Sequence, residues 1–211
     1  MAVSSKKYLR RYTDLTSLIY LLRNAKITVL DPETWDDSND SHYLALYKKK
    51  KKLKTVLALC FTETSERYDY WRVFAGGSSG VCIQFKRSEL LSAVHKQPGM
   101  KAKKVRYVTL DEIREMRLAS EELPFLKRYA YKHEYEFRML YESEKVTLPK
   151  LDIAIPLSCI DRITLGPWIH PDLFEDVRKL LQSIDSRSKL QISRSTLIGN
   201  QEWKNLGEAA R

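Results

Sequence analysis

The chain has 211 residues, of which 43% are hydrophobic, 30% charged and 10% aromatic. This composition excludes a disordered chain and fits one globular domain with its own core. The formal net charge of +10 favours an anionic partner such as nucleic acid, a nucleotide or a membrane surface, although many basic domains bind none of these.

The three cysteines, Cys60, Cys82 and Cys159, lie far apart in apolar segments, without a C-x-x-C pair or a Cys/His cluster. They are therefore predicted to be buried free thiols, and no bound metal is expected. MAVSSKKYLRRYTDL contains no apolar signal core, and no stretch approaches 18 apolar residues. We predict a cytoplasmic protein without a membrane partner.

The first part of the chain predicts alternating strands and helices. YLRRYT (8–13) alternates as a strand, and the next segment repeats leucine and isoleucine at helical spacing behind a cap at Asp14 or Thr16. ITVLDP predicts a short strand, TWDDSND a polar loop, and SHYLALYKKKKKLK a helix whose last lysines suit the negative end of its dipole. The continuous apolar run TVLALCFT (Thr55–Thr62) is typical of a strand buried on both faces.

The rest of the chain continues this mixture. ETSERYDYWRVFAGGSSG predicts a loop and a short helix, VCIQF a strand, KRSELLSAVHKQ a helix and KAKKVRYVTL a strand. DEIREMRLASEELPFLKRYAY is predicted to be mainly helical with a break at Pro124. LDIAIPLSCIDRITLGP predicts extended segments, HPDLFEDVRKLLQSI an amphipathic helix and KLQISRSTL a last strand before a polar tail.

The organisation favours a single α+β domain over residues 1–211, because no internal repeat and no Gly/Ser-rich linker is present. Within it, we assign 1–145 to a motif-bearing core and 146–200 to C-terminal strands and a helix that complete the same domain. Residues 201–211 are assigned to a tail.

The stretch YKHEYEFRMLY (131–141) predicts a strand with two unlike faces. One face is apolar and belongs in a core, whereas the other is polar. The polar face either meets solvent or lines a catalytic cleft, and periodicity leaves both open. The apolar face consists of Tyr135, Phe137, Met139 and Tyr141, and the other of Glu134, Glu136, Arg138 and Leu140.

Familiar signatures are absent: no Walker loop, G-x-G-x-x-G, G-x-S-x-G or H-E-x-x-H occurs. FAGGSSG lacks the Lys-Ser/Thr ending of a phosphate-binding loop, so we interpret it as a turn. A lysine run is interpreted either as a solvated helix end or as a track for a phosphate backbone. This run comprises Lys48, Lys49, Lys50, Lys51 and Lys52.

Three polar features accompany predicted strands. Arg11 and Thr13 share one face of the first strand. Thr62, Thr64 and Ser65 mark the end of the apolar strand, and Glu134 and Glu136 follow later. Each feature alone is more often structural, because strand-end threonines form turn hydrogen bonds and glutamates on half-buried strands face water. The order Arg, Thr, Glu-x-Glu is more informative than any member.

This order resembles the motifs of the ADP-ribosyltransferase superfamily, in its arginine–serine–glutamate branch. LRRYT aligns Arg11 with the first motif, CFTETS places Thr62 or Thr64 at the serine position, and HEYEF supplies Glu134-x-Glu136. Threonine replaces the first serine, and Glu63 stands where the family has small residues. The resemblance implies split mixed and antiparallel sheets flanked by helices.

A larger part of the chain resembles a bacterial family, domain of unknown function 2971. The matching segments cover roughly the first two-thirds of the chain, and the family implies no established activity. They are LRRY (9–12), WDDSND (35–40), CFT (60–62), the block from Trp71 to Phe85 and EYEFR (134–138).

The superfamily resemblance implies NAD as a substrate, cleaved through an oxocarbenium-like transition state as in glycoside hydrolysis. Glu136 would face the developing positive charge and hold a ribose hydroxyl, and Glu134 would accept the proton of the nucleophile. Arg11 suits the pyrophosphate or the ribose. Thr62 would brace Glu136 or the nicotinamide ribose.

Further residues are assigned to the same cofactor site. Thr13 and Thr64 would border it, and Trp71 or Phe74 could stack on the nicotinamide, although an aromatic side chain in this position is more often part of the core. Arg138 could form a structural ion pair with Glu136.

The polar cluster of the TWDDSND loop is open to two interpretations. It forms a helix-capping turn, with Asn39 or Ser41 as the cap, or it borders the nucleotide. Its members are Trp35, Asp37, Asn39 and Asp40.

The resemblance thus implies an NAD-dependent ADP-ribosyltransferase, of a kind that often acts as a toxin or phage-defence effector, with a possible antitoxin partner. The charge of +10 favours a nucleic-acid acceptor, RNA above DNA, with a protein acceptor left open. Two alternatives remain. One is a non-catalytic nucleic-acid-binding module, and the other is a metal-independent nuclease that uses Glu136, His133 and Arg138.

Overall fold

The computed structural model describes residues 7–184 and 190–209, and this part of the chain contains eleven strands and seven α-helices. The strands are β1 (Tyr8–Asp14), β2 (Lys26–Leu30), β3 (Thr55–Thr62), β4 (Gly80–Lys86), β5 (Met100–Lys104), β6 (Arg106–Val108), β7 (Leu126–Arg128), β8 (Glu136–Ser143), β9 (Lys150–Ala154), β10 (Ile160–Leu165) and β11 (Gln191–Arg194). The helices are α1 (Leu15–Asn24), α2 (Ser38–Lys50), α3 (Tyr68–Phe74), α4 (Arg87–Val94), α5 (Leu110–Glu115), α6 (Pro171–Ile184) and α7 (Gln201–Glu208). Short 3₁₀ turns cover Pro32–Thr34, Gly77–Ser79, Ser120–Phe125, Tyr129–Glu134 and Leu157–Cys159.

Nine strands form one mixed sheet. Its main order is β11-β10-β4-β1-β3-β2-β9, while β8 pairs with β3 and carries β5 on its other edge. The β10–β11 pair is parallel and the other pairs of this sheet are antiparallel. A separate parallel pair joins β6 to β7. The predicted fold class, α+β with a mixed sheet flanked by helices, is confirmed.

The sheet is split between β1 and β3. Strand β8 pairs with one edge of β3 along its whole length, from Thr55 opposite Ser143 to Thr62 opposite Glu136. On the other edge, β1 pairs with β3 only where Arg10 lies opposite Thr62. Along the rest of this edge β3 pairs only at Ala58, with Leu30 of β2, so β1 and β3 are joined at the Thr62 end and separate towards the start of β3.

Both faces of β3 are buried, as its apolar run predicts. Leu57, Leu59 and Phe61 belong to the main core, whereas Val56 and Ala58 belong to a second apolar cluster that also holds Leu44 and Tyr47 of α2. Successive side chains of a strand point to opposite faces. Helix α2 therefore covers one face of β3 and the main core covers the other. A third cluster packs Tyr12 of β1 against Tyr70 and Trp71 of α3.

Side-chain caps fix where two helices near the split begin. Asp14 caps α1 by accepting a hydrogen bond from the Ser17 N–H at 2.8 Å, one of the two predicted caps. Helix α2 is capped by Asp37, whose carboxylate accepts from the Asn39 N–H at 3.1 Å. The prediction of Asn39 or Ser41 as that cap is therefore wrong, because the helix starts earlier, at Ser38.

The strand predicted at 131–141 begins only at Glu136. Tyr135 adopts a left-handed conformation, with φ of 44° and ψ of 46°, and the preceding Tyr129–Glu134 forms a 3₁₀ turn. Because of this turn, the side chains before Glu136 do not alternate between the two faces of a strand, as the sequence pattern had suggested. Tyr135 is 55% exposed instead of lying in the core, while Phe137, Met139 and Tyr141 are buried as predicted.

Two other segments differ from their predicted elements. The segment predicted as mainly helical after residue 110 keeps only α5 as an α-helix, and then forms the 3₁₀ turn Ser120–Phe125 and β7. Pro124 inside this turn cannot donate a helical hydrogen bond, which explains the short elements. The predicted polar tail contains α7, whose residues are all exposed.

The strands β9, β10 and β11 join the same sheet as β1 and β3, whereas the assignment of 1–211 to one domain stays a prediction. Its ends, 1–6 and 210–211, lie outside the described residues. No helix between residues 7 and 184 or between 190 and 209 is long and apolar enough to cross a membrane. All three cysteines are free, Cys82 and Cys159 are buried and Cys60 is partly buried.

Candidate functional site

A row of polar residues crosses the sheet at the split. Arg10 of β1 lies opposite Thr62 of β3, and Thr62 lies opposite Glu136 of β8. Residues directly opposite each other on neighbouring strands project to the same face. The sequence motifs assigned to the second and third strands are thus brought together on one face, at the end of β3 where β1 and β3 are joined.

Glu136 is held by Arg138, two residues along β8. The Arg138 Nε and Nη2 atoms donate to the two Glu136 carboxylate oxygens at 2.6 and 3.0 Å. Nη1 and Nη2 donate to the two oxygens of Asp40 at 2.8 and 2.6 Å, and Nη1 also donates to the carbonyl of Pro124 at 2.8 Å. All five guanidinium donors are therefore used, and Arg138 is fully buried.

Lys127 of β7 joins the remaining carboxylate to this group. Its Nζ lies 2.7 Å from a Glu134 oxygen, 3.4 Å from Glu136 and 3.7 Å from Asp40. The ring of Tyr131 lies under the ammonium, 4.8 Å away. We call Asp40, Lys127, Glu134, Glu136 and Arg138 the charged cluster. Its three carboxylates and two cations carry a net formal charge of −1. Periodicity suggested that this polar face meets solvent or lines an open cleft, but the cluster is buried.

The electrostatics of the cluster set Glu136 apart from the other two carboxylates. Burial alone would raise the pKa of Glu136, but Arg138 and Lys127 outweigh it and hold that pKa at about 2. Burial raises the pKa of Asp40 and of Glu134, and their cationic partners only partly offset it. Glu136 is therefore ionised across the whole physiological range.

Thr62 supports the backbone that leads into Glu136. Its hydroxyl donates to the carbonyl of Glu134 at 2.7 Å and accepts the Thr64 N–H at 3.2 Å. The backbone N–H of Glu136 donates to the hydroxyl of Tyr107 at 2.8 Å. Thr62 thus braces the backbone before Glu136 and forms no hydrogen bond to the carboxylate itself; a hydrogen bond to the nicotinamide ribose stays a prediction.

Arg11 is not in this row: it follows Arg10 in β1, and successive residues of a strand project to opposite faces. Its backbone pairs with Ile83 of β4, and burial lowers the pKa of its guanidinium, with smaller opposing effects of Cys60 and Asp14. Within residues 7–184 and 190–209, no side chain or carbonyl accepts a hydrogen bond from this guanidinium. A partly buried cation without a partner is suited to an anionic ligand.

The other predicted cofactor residues are dispersed. Trp71 is fully buried, and its indole N–H donates to Glu66 at 2.7 Å. Trp71 packs edge-on to Tyr12 in the third apolar cluster, which fits the core alternative and leaves no exposed ring surface for nicotinamide. Phe74 is 48% exposed and lies edge-on to Tyr70.

The two remaining threonines have structural contacts. Thr13 is buried in β1 opposite Val81 of β4. Thr64 follows β3, and its carbonyl accepts from Nη1 of Arg10 at 2.5 Å. This hydrogen bond connects β1 to the residues that follow β3.

The lysine run ends α2, as predicted. Lys51 pairs with Glu121 at 2.9 Å. Lys48, Lys49, Lys50 and Lys52 form no ion pair within the described part of the chain, and Lys49, Lys50 and Lys52 are exposed. These four side chains are accessible to a phosphate backbone.

The contacts of Arg138 and His133 do not favour a nuclease. A nuclease would use Arg138 to bind phosphate, but Arg138 is buried and all its donors are used. His133 lies 3.9 Å from Asp69 on the exposed side of the 3₁₀ turn and is no part of the charged cluster.

Sequence reasoning missed two members of the charged cluster. Asp40 was noted only as part of a polar loop, and Lys127 lies in a segment predicted to be helical. In the structure this loop makes structural and electrostatic contacts: Asp37 caps α2, Asp40 binds Arg138, and the ring of Trp35 lies 5.1 Å from the Arg138 guanidinium. The only sequence signal was the clustering of Trp, Asp and Asn at 35–40.

A groove of about 290 Å³ leads to this cluster, between the first turn of α2, the segment 108–113 and β7. Asp40 and Lys127 line it, so the groove reaches the residues that surround Glu136. No group of three or more His, Cys, Asp or Glu side chains suited to a metal ion occurs among the residues described by the structure. Glu136 itself is buried behind Asp40 and Lys127 and does not line the groove. An ionised carboxylate held in place can stabilise a cationic transition state.

No protein-family model matches the chain, and no curated protein matches it. Among solved structures, it is similar to Thermus sp. 2.9 DarT in complex with carba-NAD+, at 13% identity and a TM-score of 0.43, over 90% of this chain and 95% of that chain. DarT in complex with ADP-ribosylated ssDNA matches at 12% identity and a TM-score of 0.44, over 90% and 94% of the two chains. DarT in complex with NAD+ matches at 13% identity and a TM-score of 0.43, over 90% of this chain and 95% of that chain. At these identities and TM-scores, the likeness assigns neither activity nor substrate to this chain.

Proposed function

We propose that the protein is an NAD-dependent ADP-ribosyltransferase in which Glu136 is the catalytic carboxylate. The observation that carries the proposal is the register of β1, β3 and β8, which places Thr62 and the ionised Glu136 on one face beside the split. The predicted motif order and this register agree on Thr62 and Glu136, whereas the register brings Arg10, and not Arg11, into the same row. The family resemblance to domain of unknown function 2971 belongs to the same proposal.

Breaking the nicotinamide–ribose bond develops positive charge on the ribose. An ionised carboxylate stabilises this charge more in the transition state than in the substrate. The pKa of Glu136, about 2, keeps it ionised, and the net formal charge of −1 on the charged cluster leaves negative charge that its own cations do not compensate. Glu136 therefore suits the stabilising role.

Glu134 suits a different role, that of the base for the incoming nucleophile. Burial raises its pKa, and a base with a pKa closer to neutrality accepts a proton more effectively. Lys127 connects its carboxylate to that of Glu136. The two glutamates are thus assigned different tasks by their surroundings.

Arg11 is proposed to bind the pyrophosphate of NAD, with Thr13 and Thr64 at the edge of the same site. The support is its guanidinium, which has no hydrogen-bond acceptor in the described chain and lies near Cys60 at the split. A planar guanidinium can hold two phosphate oxygens at once.

The acceptor is proposed to be a nucleic acid, with RNA favoured over DNA and a protein acceptor as the alternative. The net charge of +10 and the four unpaired lysines at the end of α2 support a polyanion. A role as a toxin or phage-defence effector, held by an antitoxin, is part of this proposal.

Nicotinamide release from NAD tests the transferase, with RNA, single-stranded DNA and cell lysate supplied as acceptors. Glu136→Gln is expected to lower the rate by about 10²–10⁴-fold, as the loss of a catalytic carboxylate does. Glu144→Gln is the matched control, because Glu144 is exposed just beyond β8, and its rate should equal that of the wild type. A folded Glu136→Gln protein with the wild-type rate would contradict the proposal.

A non-catalytic nucleic-acid-binding module is the second candidate, favoured by the accessible lysines of α2 alone. It predicts binding that depends on these lysines and is indifferent to Glu136→Gln. It also predicts no nicotinamide release under any of these conditions.

A further inference from the structure

The row of polar residues at the split continues across the sheet beyond Arg10. In β4, Gln84 lies opposite Arg10, and in β10, Arg162 lies opposite Gln84. In β11, Gln191 lies opposite Arg162. We call this whole line, which crosses six strands and ends at the proposed catalytic carboxylate, the polar row. Its members in spatial order are Gln191, Arg162, Gln84, Arg10, Thr62 and Glu136.

Every member of the polar row lies on the face of the sheet that is turned away from the main core. Successive residues of a strand project to opposite faces. The residues next to the row along each strand belong to the main core or pack against it. They are Leu9, Phe61, Ile83, Phe137, Ile163 and Ile192. The row is therefore one continuous surface and is not divided between the two faces.

The polar row becomes more exposed with distance from Glu136. Thr62 and Glu136 are buried, Gln84 is half-buried and Arg162 is exposed. Neighbouring strands lie about 4.8 Å apart, so the four steps from β8 to β10 place the backbone of Arg162 about 19 Å from that of Glu136. A long ligand can therefore lie along the row with one end at Glu136.

The charge of the polar row away from Glu136 is positive. Arg10 and Arg162 form no ion pair within the part of the chain that the structure describes, and Arg10 donates to the carbonyl of Thr64. One carboxylate lies beside the row, that of Asp161, and it accepts from the Gln84 amide at 2.7 Å. Two cations without carboxylate partners, set along one line, suit the phosphates of a nucleic-acid strand.

Side chains that can contact bases accompany the two arginines. Gln84 binds Asp161 through its amide nitrogen, and its amide oxygen has no donor among residues 7–184 and 190–209. Tyr8 lies two residues before Arg10, on the same face, and is half-buried. Base edges and base faces are accessible to amides and aromatic rings in a single strand but not in a stacked duplex. The surface therefore favours a single strand.

We propose that the polar row binds a single-stranded nucleic acid and leads it to Glu136, with Arg10 and Arg162 binding its phosphates. The inference rests on the proposed function for the role of Glu136 and identifies the path of the acceptor to it. Binding by the row itself does not require that function.

The lysine run of α2 does not supply this path. It precedes β3, which starts at Thr55, whereas Thr62 and Glu136 lie at the other end of that strand. Seven residues of a strand span about 23 Å. The lysines can add to the attraction of a polyanion, but only the polar row reaches the proposed catalytic carboxylate.

Fluorescence anisotropy of labelled oligouridylate and oligodeoxythymidylate at several salt concentrations tests the proposal. Arg10→Gln and Arg162→Gln should each weaken binding by about 2–5-fold, the range of an exposed ion pair, and lower the slope of log K against log salt by about 0.7. Arg162→Lys keeps the charge and should keep the slope. Arg23→Gln is the matched control, because it removes an exposed arginine from α1, which packs on the main core, and it should bind as the wild type does.

Steady-state transfer to the oligonucleotide gives a second measurement. Arg162→Gln should raise the KM for the oligonucleotide by about the same 2–5-fold, with a smaller change in kcat, because Arg162 lies far from Glu136. The midpoint of its urea denaturation should equal that of the wild type, since the side chain is exposed. A merely structural role would lower that midpoint and leave the salt slope unchanged.

Three results would overturn the proposal. They are the absence of oligonucleotide binding by the wild type, wild-type affinity and slope in a folded double variant of Arg10→Gln and Arg162→Gln, and equally tight, Arg162-dependent binding of a polyglutamate peptide, which would assign the row to an acidic protein. Loss of the transferase proposal looks different, because oligonucleotide binding that depends on both arginines would then persist without nicotinamide release.

Discussion

The two sides of the split differ in how their arginines are used. On the β3–β8 side, every donor of Arg138 is bound to Asp40, Glu136 or Pro124, and the side chain is fully buried. On the β1 side, Arg11 has no acceptor in the described chain. Arg138 holds the carboxylate of Glu136 in place, whereas Arg11 has a guanidinium without an acceptor among the described residues. Of these two arginines, only Arg138 is held in a fixed position by contacts within the described chain.

The stability of two matched variants should show this difference most strongly. Arg138→Met leaves Asp40 and Glu136 buried without their partner and should lower the free energy of unfolding by about 3–5 kcal/mol. Arg11→Met removes a guanidinium that has no acceptor among residues 7–184 and 190–209, so its unfolding free energy should stay within about 0.5 kcal/mol of the wild type. Urea denaturation of both proteins measures the contrast. Equal losses would mean that Arg11 has a structural partner.

The affinity for NAD should be affected by Arg11→Met, the variant that is expected to leave stability unchanged. Arg11→Met is expected to raise the KM for NAD by about 10–100-fold, the effect of losing a hydrogen bond to a charged group, with a smaller change in kcat. Arg23→Met, at an exposed position of α1, is the control and should leave KM unchanged. Steady-state nicotinamide release separates KM from kcat. An unchanged KM in Arg11→Met would remove Arg11 from the binding site.

The pH dependence of stability tests the ionised state of Glu136. Its pKa is lowered from 4.5 to about 2, so its ion pairs stabilise the fold above about pH 4.5 and lose this effect as the pH falls towards 2. The difference in unfolding free energy between the wild type and Glu136→Gln should therefore be largest above pH 5 and shrink by about 1–3 kcal/mol at pH 3. A difference that stays constant from pH 7 to pH 3 would show that Glu136 is not held ionised by its partners.

The α2 lysines should give the smallest effect. Replacing Lys48, Lys49, Lys50 and Lys52 by Gln should weaken RNA binding and lower the slope of log K against log salt by about 0.7 for each lost phosphate contact. Lys51→Gln should change the slope less, because Lys51 already pairs with Glu121. Fluorescence anisotropy at several salt concentrations measures the slope. An unchanged slope in the fourfold variant would place the nucleic-acid surface elsewhere.

Local sequence patterns predict several of the strands near the site. The apolar run of β3 predicts a strand with both faces buried, and Thr62 and Glu136 are correctly predicted to lie together. Their meeting follows from two apolar strands that pair along their whole length. Local patterning can therefore locate the strands that carry a site.

The contacts that define the charge of the site could not be predicted in this way. Asp40 and Arg138 are 98 residues apart, and no periodicity links them. Lys127 lies in a short strand formed after Pro124, where the pattern favoured a helix. The left-handed backbone at Tyr135 shifts the start of β8 and exposes a residue predicted for the core. Tertiary contacts, rather than local propensity, decide these positions.

Transfer of label from NAD to an acceptor is the decisive measurement of ADP-ribosyltransferase activity. The protein is incubated with NAD labelled in its adenylate part, together with RNA, single-stranded DNA and lysate proteins, and each fraction is examined for label. The account predicts label in nucleic acid with the wild type and with Glu144→Gln, and none with folded Glu136→Gln. Label transfer by Glu136→Gln at the wild-type level, or neither label transfer nor nicotinamide release by the wild type, would contradict it.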